Sequence, residues 1–514
     1  MKNQLKAGAI LSYLALFINS FISIIYTPIM LKYLGQSEYG LYSLASATAG
    51  YVGVLNFGLG NALIRYSAKY KALKDEKNCY KLYGLFLKMY LVLGLIAFVS
   101  GIIMALNVEA LFSNSLNSNQ LGDLKILIGI MTINISVGIG LGMFSVIILA
   151  HEKFIIQKLI SILSSIMVPA IMLPLLLMNY GSITMVVVTT IINFVAIIIN
   201  MYYCFFKLNI KITFDRVDNS LLKEIIIFSF YIFLNIVISQ IYWSTDQVIL
   251  GIYSGTVAVS IYSIAASFTG YFSGFSAAIS NVFLSKVSRM VTLNVSDNEL
   301  SELFIRVGRV QYLVISFALS GFIVFGQEFI ILWVGKDYKQ SYIVALIILV
   351  PMLVSLIQGM GGVILQAKNK QKFKSIINFI VALLNVVMSV FFVQLWGILG
   401  CAVATAISFL MGNIIIINVY YWRSIGIDIP KFWGNIIIMS LPLTISIIYG
   451  LYINEIVIAD SWTLLLIKIL VFSIGYNVIT WLISMNKYEK ELILNPIKKI
   501  NNSLKQRRFI YYKS

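Results

Sequence analysis

Residues 225–250 read IIIFSFYIFLNIVISQIYWSTDQVIL, and this apolar run carries a single formally charged residue, Asp246. The run exceeds the roughly 20 mostly apolar residues that a helix needs to cross a bilayer. A lone carboxylate buried in apolar surroundings costs several kcal/mol or more unless it is paired or hydrogen-bonded. The run therefore predicts a membrane-spanning helix in which Asp246 needs a specific partner or a specific purpose.

The composition of the whole chain extends this prediction. Of its 514 residues, 60% are hydrophobic and 11% are charged, and the mean hydropathy is +0.92. Soluble domains carry about 25% charged residues. We therefore predict an all-α polytopic membrane protein with about fourteen spans. The predicted spans are 8–31, 40–64, 83–106, 124–149, 155–178, 182–206, 225–250, 257–283, 310–335, 341–366, 375–396, 398–421, 433–453 and 462–484.

Lysine and arginine predict the orientation. With the inter-span segments numbered alternately, one side of the membrane receives 32 of these residues and the other side receives four. Because basic loops stay in the cytoplasm, both termini are predicted to be cytoplasmic and the number of spans even. The net charge of +18 is then a consequence of topology. It favours contact with anionic lipid headgroups and not with nucleic acid.

An internal repeat appears when the chain is shifted by 220 residues. YLGQSEYGLYSLASATAGY (33–51) aligns with YSGTVAVSIYSIAASFTGY (253–271), and Asn61 aligns with Asn281. The shift crosses an even number of spans, so the copies share one orientation. Parallel repeats of this kind build transporters from two halves. The predicted domains are a six-helix lobe at 1–210, a second six-helix lobe at 211–424, an extra helix pair at 425–486 and a basic cytoplasmic tail at 487–514.

Ionisable residues inside spans are functional candidates. Asp246 is the deepest of them, and the repeat places Tyr26 opposite it, so this charge has no counterpart in the first half. Asp246 is a candidate for coupling or gating, through a cation or through a basic residue that it holds and releases. The alternative is a structural partner for a neighbouring polar group. The same alternatives apply to Glu328, and Lys468 is expected to extend toward the outer interface.

Each half also presents an asparagine followed by basic residues toward the predicted cytoplasmic side. The candidates are Asn61, Arg65 and Lys69 in the first half and Asn281, Lys286 and Arg289 in the second. Residues four apart share a helix face. Between two lobes these faces would form a cationic vestibule suited to a pyrophosphate. Ordinary positive-inside anchoring explains the same residues equally simply.

Uncharged amides are also frequent within the spans. They suit either hydrogen bonds between helices or a hydrated lumen for a sugar. They are Asn19, Asn56, Asn134, Asn193, Asn200, Asn235, Gln240, Gln358, Gln366, Asn378 and Asn385.

Motifs for other chemistries are weak. His151, the only histidine, lies in LAHEKF and is expected to be a solvated loop residue with no partners for a triad or zinc site. GIGLG (138–142) follows no strand, so it is not a phosphate-binding loop. The three cysteines share no metal-type spacing, and neither a disulfide nor a metal site is expected. No long external segment offers room for a catalytic loop.

Two motifs carry a family resemblance. FGLGNALIRYSAKYKA (57–72) and STDQVILGIYSGTVAVSIYSIAASF (244–268) resemble those of bacterial Wzx-like polysaccharide flippases, the polysaccharide branch of the multidrug/oligosaccharidyl-lipid/polysaccharide exporter superfamily. The resemblance implies two six-helix lobes around a central cavity and an extra helix pair. It also implies translocation of an undecaprenyl-diphosphate-linked oligosaccharide to the outer leaflet of the plasma membrane, for O-antigen, capsule or another surface polysaccharide. Coupling to a Na⁺ or H⁺ gradient, a polysaccharide polymerase and a chain-length regulator are part of that expectation.

Other functions remain as alternatives. A cation-coupled multidrug antiporter and a lipid II flippase belong to the same superfamily, and sequence barely separates the two glycan-lipid substrates. A membrane enzyme and a structural scaffold fit less well, so the protein is predicted not to be an enzyme.

Overall fold

A computed structural model describes residues 2–215, 218–457, 459–492, 494 and 495. Within these residues the chain is helical almost throughout and contains no strand. This follows from the composition, because a helix satisfies its backbone N–H and C=O groups internally where lipid offers no hydrogen-bond partner. The all-α fold class is confirmed.

The helices lie in chain order with short connections. They are α1 (Lys2–Gly53), α2 (Leu59–Ala72), α3 (Glu76–Leu106), α4 (Val108–Phe112), α5 (Ser118–Leu141), α6 (Met143–Ala150), α7 (Phe154–Leu177), α8 (Ser182–Tyr202), α9 (Asn219–Tyr253), α10 (Gly255–Val282), α11 (Leu284–Thr292), α12 (Asp297–Val334), α13 (Lys339–Ile357), α14 (Gly359–Ala367), α15 (Gln371–Trp396), α16 (Ile398–Phe409), α17 (Ile417–Tyr420), α18 (Ile429–Ile456) and α19 (Trp462–Ile483). Short 3₁₀ turns at Val54–Asn56 and Lys336–Tyr338 and π-helical turns at Tyr203–Lys207, Leu410–Ile416 and Tyr421–Ile425 join some of them.

Twelve helices among the described residues are long and apolar enough to cross a membrane. One of them, Phe17–Ala72, has 56 residues and would be about 84 Å long if straight, against a hydrocarbon core of about 30 Å. It includes residues 17–31 of the first predicted span and all of the second, and α1 is broken between them at Gly35, whose φ of 76° is non-helical. The eighth predicted span corresponds to α10, which is not one of the twelve. The exact number of fourteen stays a prediction.

Local sequence explains where α12 begins and where α15 gives way to α16. α12 begins at Asp297, before the predicted span 310–335, because the Ser296 hydroxyl accepts a hydrogen bond from the Glu299 amide and caps the helix. The predicted turn between spans 375–396 and 398–421 is present: Gly397, with φ of 55°, separates α15 from α16.

Packing divides the chain into two compact units. Unit 1 comprises the described residues of Met1–Ala266 and Asn378–Ser408, and unit 2 comprises those of Ser267–Ile377 and Phe409–Ser514. The predicted lobes were drawn from the repeat, and their boundaries stay a prediction. The predicted extra pair corresponds to α18 and α19, which pack against each other and against α12 in unit 2. Most of the predicted tail lies outside the described residues.

Candidate functional site

Asp246 lies in unit 1 and is only 2% exposed. Three hydroxyl groups donate hydrogen bonds to its carboxylate. The Tyr262 hydroxyl reaches Oδ2 at 2.5 Å, the Thr405 hydroxyl reaches Oδ2 at 2.6 Å, and the Ser389 hydroxyl reaches Oδ1 at 2.7 Å. Such charge-assisted bonds are roughly twice as strong as neutral ones. They are what allows a carboxylate to stand in an otherwise apolar helix.

The two helices α15 and α16 deliver most of these groups. Asn385 and Ser389 are one turn apart on α15, and both are fully buried. Gly400 lets α16 approach α15 closely, since a Cβ at this position would lie 2.0 Å from the backbone oxygen of Phe392. This approach brings the Thr405 hydroxyl within 3.0 Å of the Asn385 amide nitrogen, which donates a hydrogen bond to it.

The site has acceptor capacity that its own hydrogen bonds do not use. The side-chain oxygen of Asn385 is buried without a hydrogen-bond partner in the described part of the chain. Asp246 forms no ion pair with a described residue, and its partners are hydroxyl groups only. Oxygen atoms of carboxylate, hydroxyl and amide groups are the ligands that hard cations prefer. The cluster can therefore accept a proton or a small cation without first breaking a salt bridge.

A second polar layer joins α1 to α9 beside Asp246. The hydroxyl groups of Tyr51 and Thr245 are hydrogen-bonded to each other. One turn earlier on α9, the amide of Gln240 donates to the backbone oxygen of Ala47 at 3.4 Å. Gly50 makes room for that amide, because a Cβ there would lie 2.5 Å from its nitrogen. Helices α1 and α9 are therefore joined beside Asp246 by side chains other than those that donate hydrogen bonds to its carboxylate.

The first-half position equivalent to Asp246 differs in chemistry. Tyr26 stands there, and its hydroxyl is buried without a hydrogen-bond partner among the described residues. The repeat also pairs Tyr42 with Tyr262, so the donor tyrosine recurs in both halves while the carboxylate occurs in one. The two halves therefore differ at this position in charge and also in hydrogen bonding: Asp246 accepts three hydrogen bonds, and the Tyr26 hydroxyl has no partner among the described residues.

The first predicted basic face is formed. Asn61, Arg65 and Lys69 are all exposed, at successive turns of α2. The Arg65 guanidinium carbon lies 4.9 Å from the ring centre of Phe228 and 5.8 Å from that of Tyr66. These cation–π contacts hold Arg65 near the protein surface and do not use its N–H donors, which remain able to bind an anion.

The second basic face is interrupted. Asn281 lies near the end of α10, whereas Lys286 and Arg289 lie on α11, and the two helices meet at Phe283. All three side chains are exposed, and the buried Val287 fixes α11 on its opposite face. The three residues share a region of unit 2 but not one continuous helix face. The binding role of both basic faces stays a prediction.

Two other predicted residues have different surroundings from those expected. Lys468 does not extend to the interface: it is 3% exposed, and its ammonium group lies 2.8 Å from a carboxylate oxygen of Glu328. Glu328 is therefore a structural ion-pair partner. His151 lies in the turn that ends α6, as expected, but it is partly buried, and its Nδ1 lies 2.9 Å from the backbone oxygen of Ile147.

Two of the four residues grouped around the Asp246 carboxylate are not predicted from the sequence. Asn385 is one of the amides within the spans and Tyr262 is one identity of the repeat, whereas neither pattern includes Ser389 or Thr405. A usable signal existed, since Asn385 and Ser389 are four residues apart in an apolar helix. Serine and threonine are common in membrane helices for packing, so their spacing alone does not separate a site from a helix contact.

The fold defines a multi-pass membrane protein built from helices. The family described as polysaccharide biosynthesis protein matches residues 5–284, more than half of the chain, so this protein belongs to that family. A Shigella flexneri protein named "Putative O-antigen transporter" is 21% identical over 399 residues, covering 74% of this chain and 90% of that protein. A Haloferax volcanii protein named "Probable low-salt glycan biosynthesis flippase Agl15" is 26% identical over 170 residues, which are 33% of this chain and 36% of that protein.

Solved structures share the fold. The lipid II flippase MurJ in an inward closed conformation superimposes with a TM-score of 0.72 at 19% identity, covering 94% of this chain and all of that one. An inward-facing multidrug resistance transporter of the MATE family gives a TM-score of 0.62 at 15% identity, over 80% of this chain and 98% of its own. At these identities the likeness establishes the fold and not the substrate.

Proposed function

We propose that this protein is a flippase that moves a polyprenyl-diphosphate-linked oligosaccharide repeat unit from the cytoplasmic to the outer leaflet of the bacterial plasma membrane by alternating access. Its product would serve surface polysaccharide biosynthesis. The observation that carries the proposal is membership of the polysaccharide biosynthesis family, together with a relative named as an O-antigen transporter that matches along most of both chains. The proposal includes cytoplasmic termini and a transport function without catalysis.

The exposed face of α2 supports a role in binding the diphosphate. Arg65 presents several N–H donors in a plane, a geometry that suits phosphate oxygens. Asn61 and Lys69, one turn away on either side, add a neutral donor and a second positive charge on the same face. The apolar rings beside Arg65 lower its contact with water on one side, which strengthens attraction to an anion.

We propose that Asp246 couples transport to a Na⁺ or H⁺ gradient. Na⁺ would be held by oxygen atoms of Asp246, Thr405 and Asn385, whose amide oxygen has no other partner among the described residues. A proton would bind one carboxylate oxygen directly, and the hydroxyl on that side would then turn from donor to acceptor. In both cases the cation neutralises a charge that no basic side chain of the described residues compensates.

Complementation tests the substrate. A strain lacking its own flippase is supplied with wild-type protein, Arg65→Ala or the control Lys125→Ala at matched expression, and its surface polysaccharide is quantified. Wild type and the control should restore the polysaccharide, because Lys125 lies on the predicted outer side, and Arg65→Ala should restore much less. Full restoration by Arg65→Ala would remove Arg65 from the binding face. Failure of the wild type together with acquired drug efflux would replace the flippase proposal by that of a multidrug antiporter.

The coupling role has its own measurement. Translocation by Asp246→Asn and Thr405→Val is measured in proteoliposomes over a matrix of Na⁺ concentration and pH, with the protein content of each preparation matched. We expect Asp246→Asn to lose its response to both ions and Thr405→Val to need a higher concentration of the coupling ion, because valine keeps the shape but not the oxygen. Wild-type responses in both variants would return Asp246 to a structural role while leaving the flippase proposal intact.

A further inference from the structure

Lys88 is an exposed charge at the edge of a lipid-facing surface. It lies on α3, in a candidate membrane span, and its side chain is exposed. Large apolar side chains that are also exposed continue from it along the same face for the rest of the helix. They are Leu91, Val92, Leu95, Val99, Ile103 and Leu106. From Lys88 to Leu106 the helix rises about 27 Å, close to the thickness of a hydrocarbon core. Lys88 is therefore at headgroup depth on the predicted cytoplasmic side.

A connecting segment is fixed against α3 beside this lysine. The amide of Thr213 donates a hydrogen bond to the backbone oxygen of Tyr80 at 3.3 Å. At Gly84 the segment comes so close that a Cβ would lie 1.9 Å from the Thr213 backbone oxygen. Phe214 then lies beside the Lys88 ammonium, at 5.3 Å from its ring centre. This arrangement gives the lysine a fixed aromatic neighbour instead of an acidic one, and it forms no ion pair with a described residue.

A cavity of about 540 Å³ opens at this position. Leu85 and Leu222 supply apolar walls, whereas Lys88, Asp215 and Asp218 supply charge. The volume is in the range of small-molecule sites, about 300–1,000 Å³. The charges of Lys88, Asp215 and Asp218 next to apolar walls match a ligand that carries both signs of charge and an apolar extension.

The two carboxylates are held in place without losing all of their acceptor capacity. Asp215 is 3.6 Å from the Lys81 ammonium, and its side chain is 57% exposed. Asp218 caps α9 by accepting hydrogen bonds from the amide and the hydroxyl of Ser220 at 3.1 and 2.5 Å. These bonds keep the pKa of Asp218 below its usual value, so it stays charged in the cytoplasm.

From this geometry we propose a binding site for a zwitterionic phospholipid with a primary ammonium group, that is, a phosphatidylethanolamine of the cytoplasmic leaflet. Its phosphate binds Lys88, its ammonium group donates hydrogen bonds to Asp218 and Asp215, and its glycerol and acyl chains follow the apolar walls to the exposed stripe of α3. A headgroup with net negative charge would place no cation against the two carboxylates. A choline headgroup would offer no N–H donor to them.

Native mass spectrometry of the full-length protein tests this site. Purified protein is titrated with phosphatidylethanolamine, phosphatidylcholine or phosphatidylglycerol of identical acyl chains, and the dissociation constant of the tightest bound lipid is determined. We expect phosphatidylethanolamine to bind about tenfold more tightly than the other two, the value of roughly one charge-assisted hydrogen bond. Equal binding of choline lipid, or tighter binding of the glycerol lipid, would overturn the assignment. So would binding of soluble phosphoethanolamine as tight as that of the lipid.

Four variants locate the effect. Lys88→Gln should weaken the binding of all three lipids, because each carries the phosphate that Lys88 binds, and Lys88→Arg should retain wild-type binding. Lys125→Gln, which changes an exposed lysine on another span, should behave as wild type. Asp218→Asn keeps the helix cap, because asparagine caps as well as aspartate. It should abolish the discrimination between ethanolamine and choline while the protein remains folded. Unchanged lipid affinity in Lys88→Gln together with an unchanged preference in Asp218→Asn would show that the lipid binds elsewhere.

Discussion

The ion pair of Lys468 and Glu328 gives the sharpest energetic prediction. The Lys468 ammonium lies 2.9 and 2.8 Å from the two carboxylate oxygens of Glu328, and it also donates to the side chain of Asn454 and to the backbone oxygen of Val457 at 2.7 Å. Its side chain is 3% exposed, and the surrounding cluster is apolar, with the Phe325 ring centre at 5.5 Å. Lys468 cannot be rehydrated in place if its partner is removed, and Glu328 can be rehydrated only in part.

Removal of one partner from a buried pair costs about 3–5 kcal/mol, because an uncompensated charge remains. We therefore expect Glu328→Gln and Lys468→Met each to lower the free energy of unfolding by about 3 kcal/mol, the lower end of that range, because Glu328 is 17% exposed. The double variant removes both charges, and methionine fills much of the volume of the lysine. Its loss should be smaller than the sum of the single losses by about 2 kcal/mol or more.

Reversible unfolding of the three variants and wild type in one detergent mixture measures this coupling energy. Ser473→Ala on the same helix serves as a control, since its hydroxyl bonds only to the backbone of Ile469. Single losses that simply add, with a coupling below about 0.5 kcal/mol, would refute the claim that the pair is energetically isolated from water.

Two further predictions concern packing and pH. Gly40→Ala should destabilise the protein by about 1–3 kcal/mol, because the new Cβ would lie 1.9 Å from the Thr256 backbone oxygen. Gly122→Ala is the control: its Cβ would meet open space, so it should be neutral or stabilising in the same unfolding assay. Burial keeps the pKa of His151 below its usual value of 6.5, so the unfolded state binds more protons as pH falls below about 6.5 and stability declines there. His151→Gln should flatten that part of the stability–pH curve, and an unchanged curve would assign the decline to another group.

The sequence predicted the fold better than the site, for a physical reason. An apolar run such as 225–250 leaves the backbone no alternative to a helix, so the spans can be read from composition alone. The turn at Gly397 could be predicted equally well, because it is the single residue between two predicted spans. Two of the partners of Asp246 could not be predicted, because Ser389 and Thr405 lie on helices more than 140 residues away in the sequence. Only the packing of α15 against α16 brings them to the carboxylate.

Charge pairing is what distinguishes Asp246 from the other buried charges of the chain. On α12, Arg309 and Glu328 are 19 residues, or about 28 Å, apart, so they stand near opposite faces of the hydrocarbon core. Each is compensated: Arg309 by Glu489 at 2.6 Å and Glu328 by Lys468.

Both pairs attach the α12 helix to the segment formed by α18, α19 and the residues after them, and their charge is neutralised permanently. The described part of the chain gives Asp246 hydroxyl donors only, which stabilise a negative charge but do not cancel it. A carboxylate in this state gains the full Coulombic attraction of any cation that reaches it, and it can release that cation without an internal competitor. The buried ion pairs therefore belong to the scaffold, and this difference is the reason for proposing that an external cation gradient acts on the protein at Asp246.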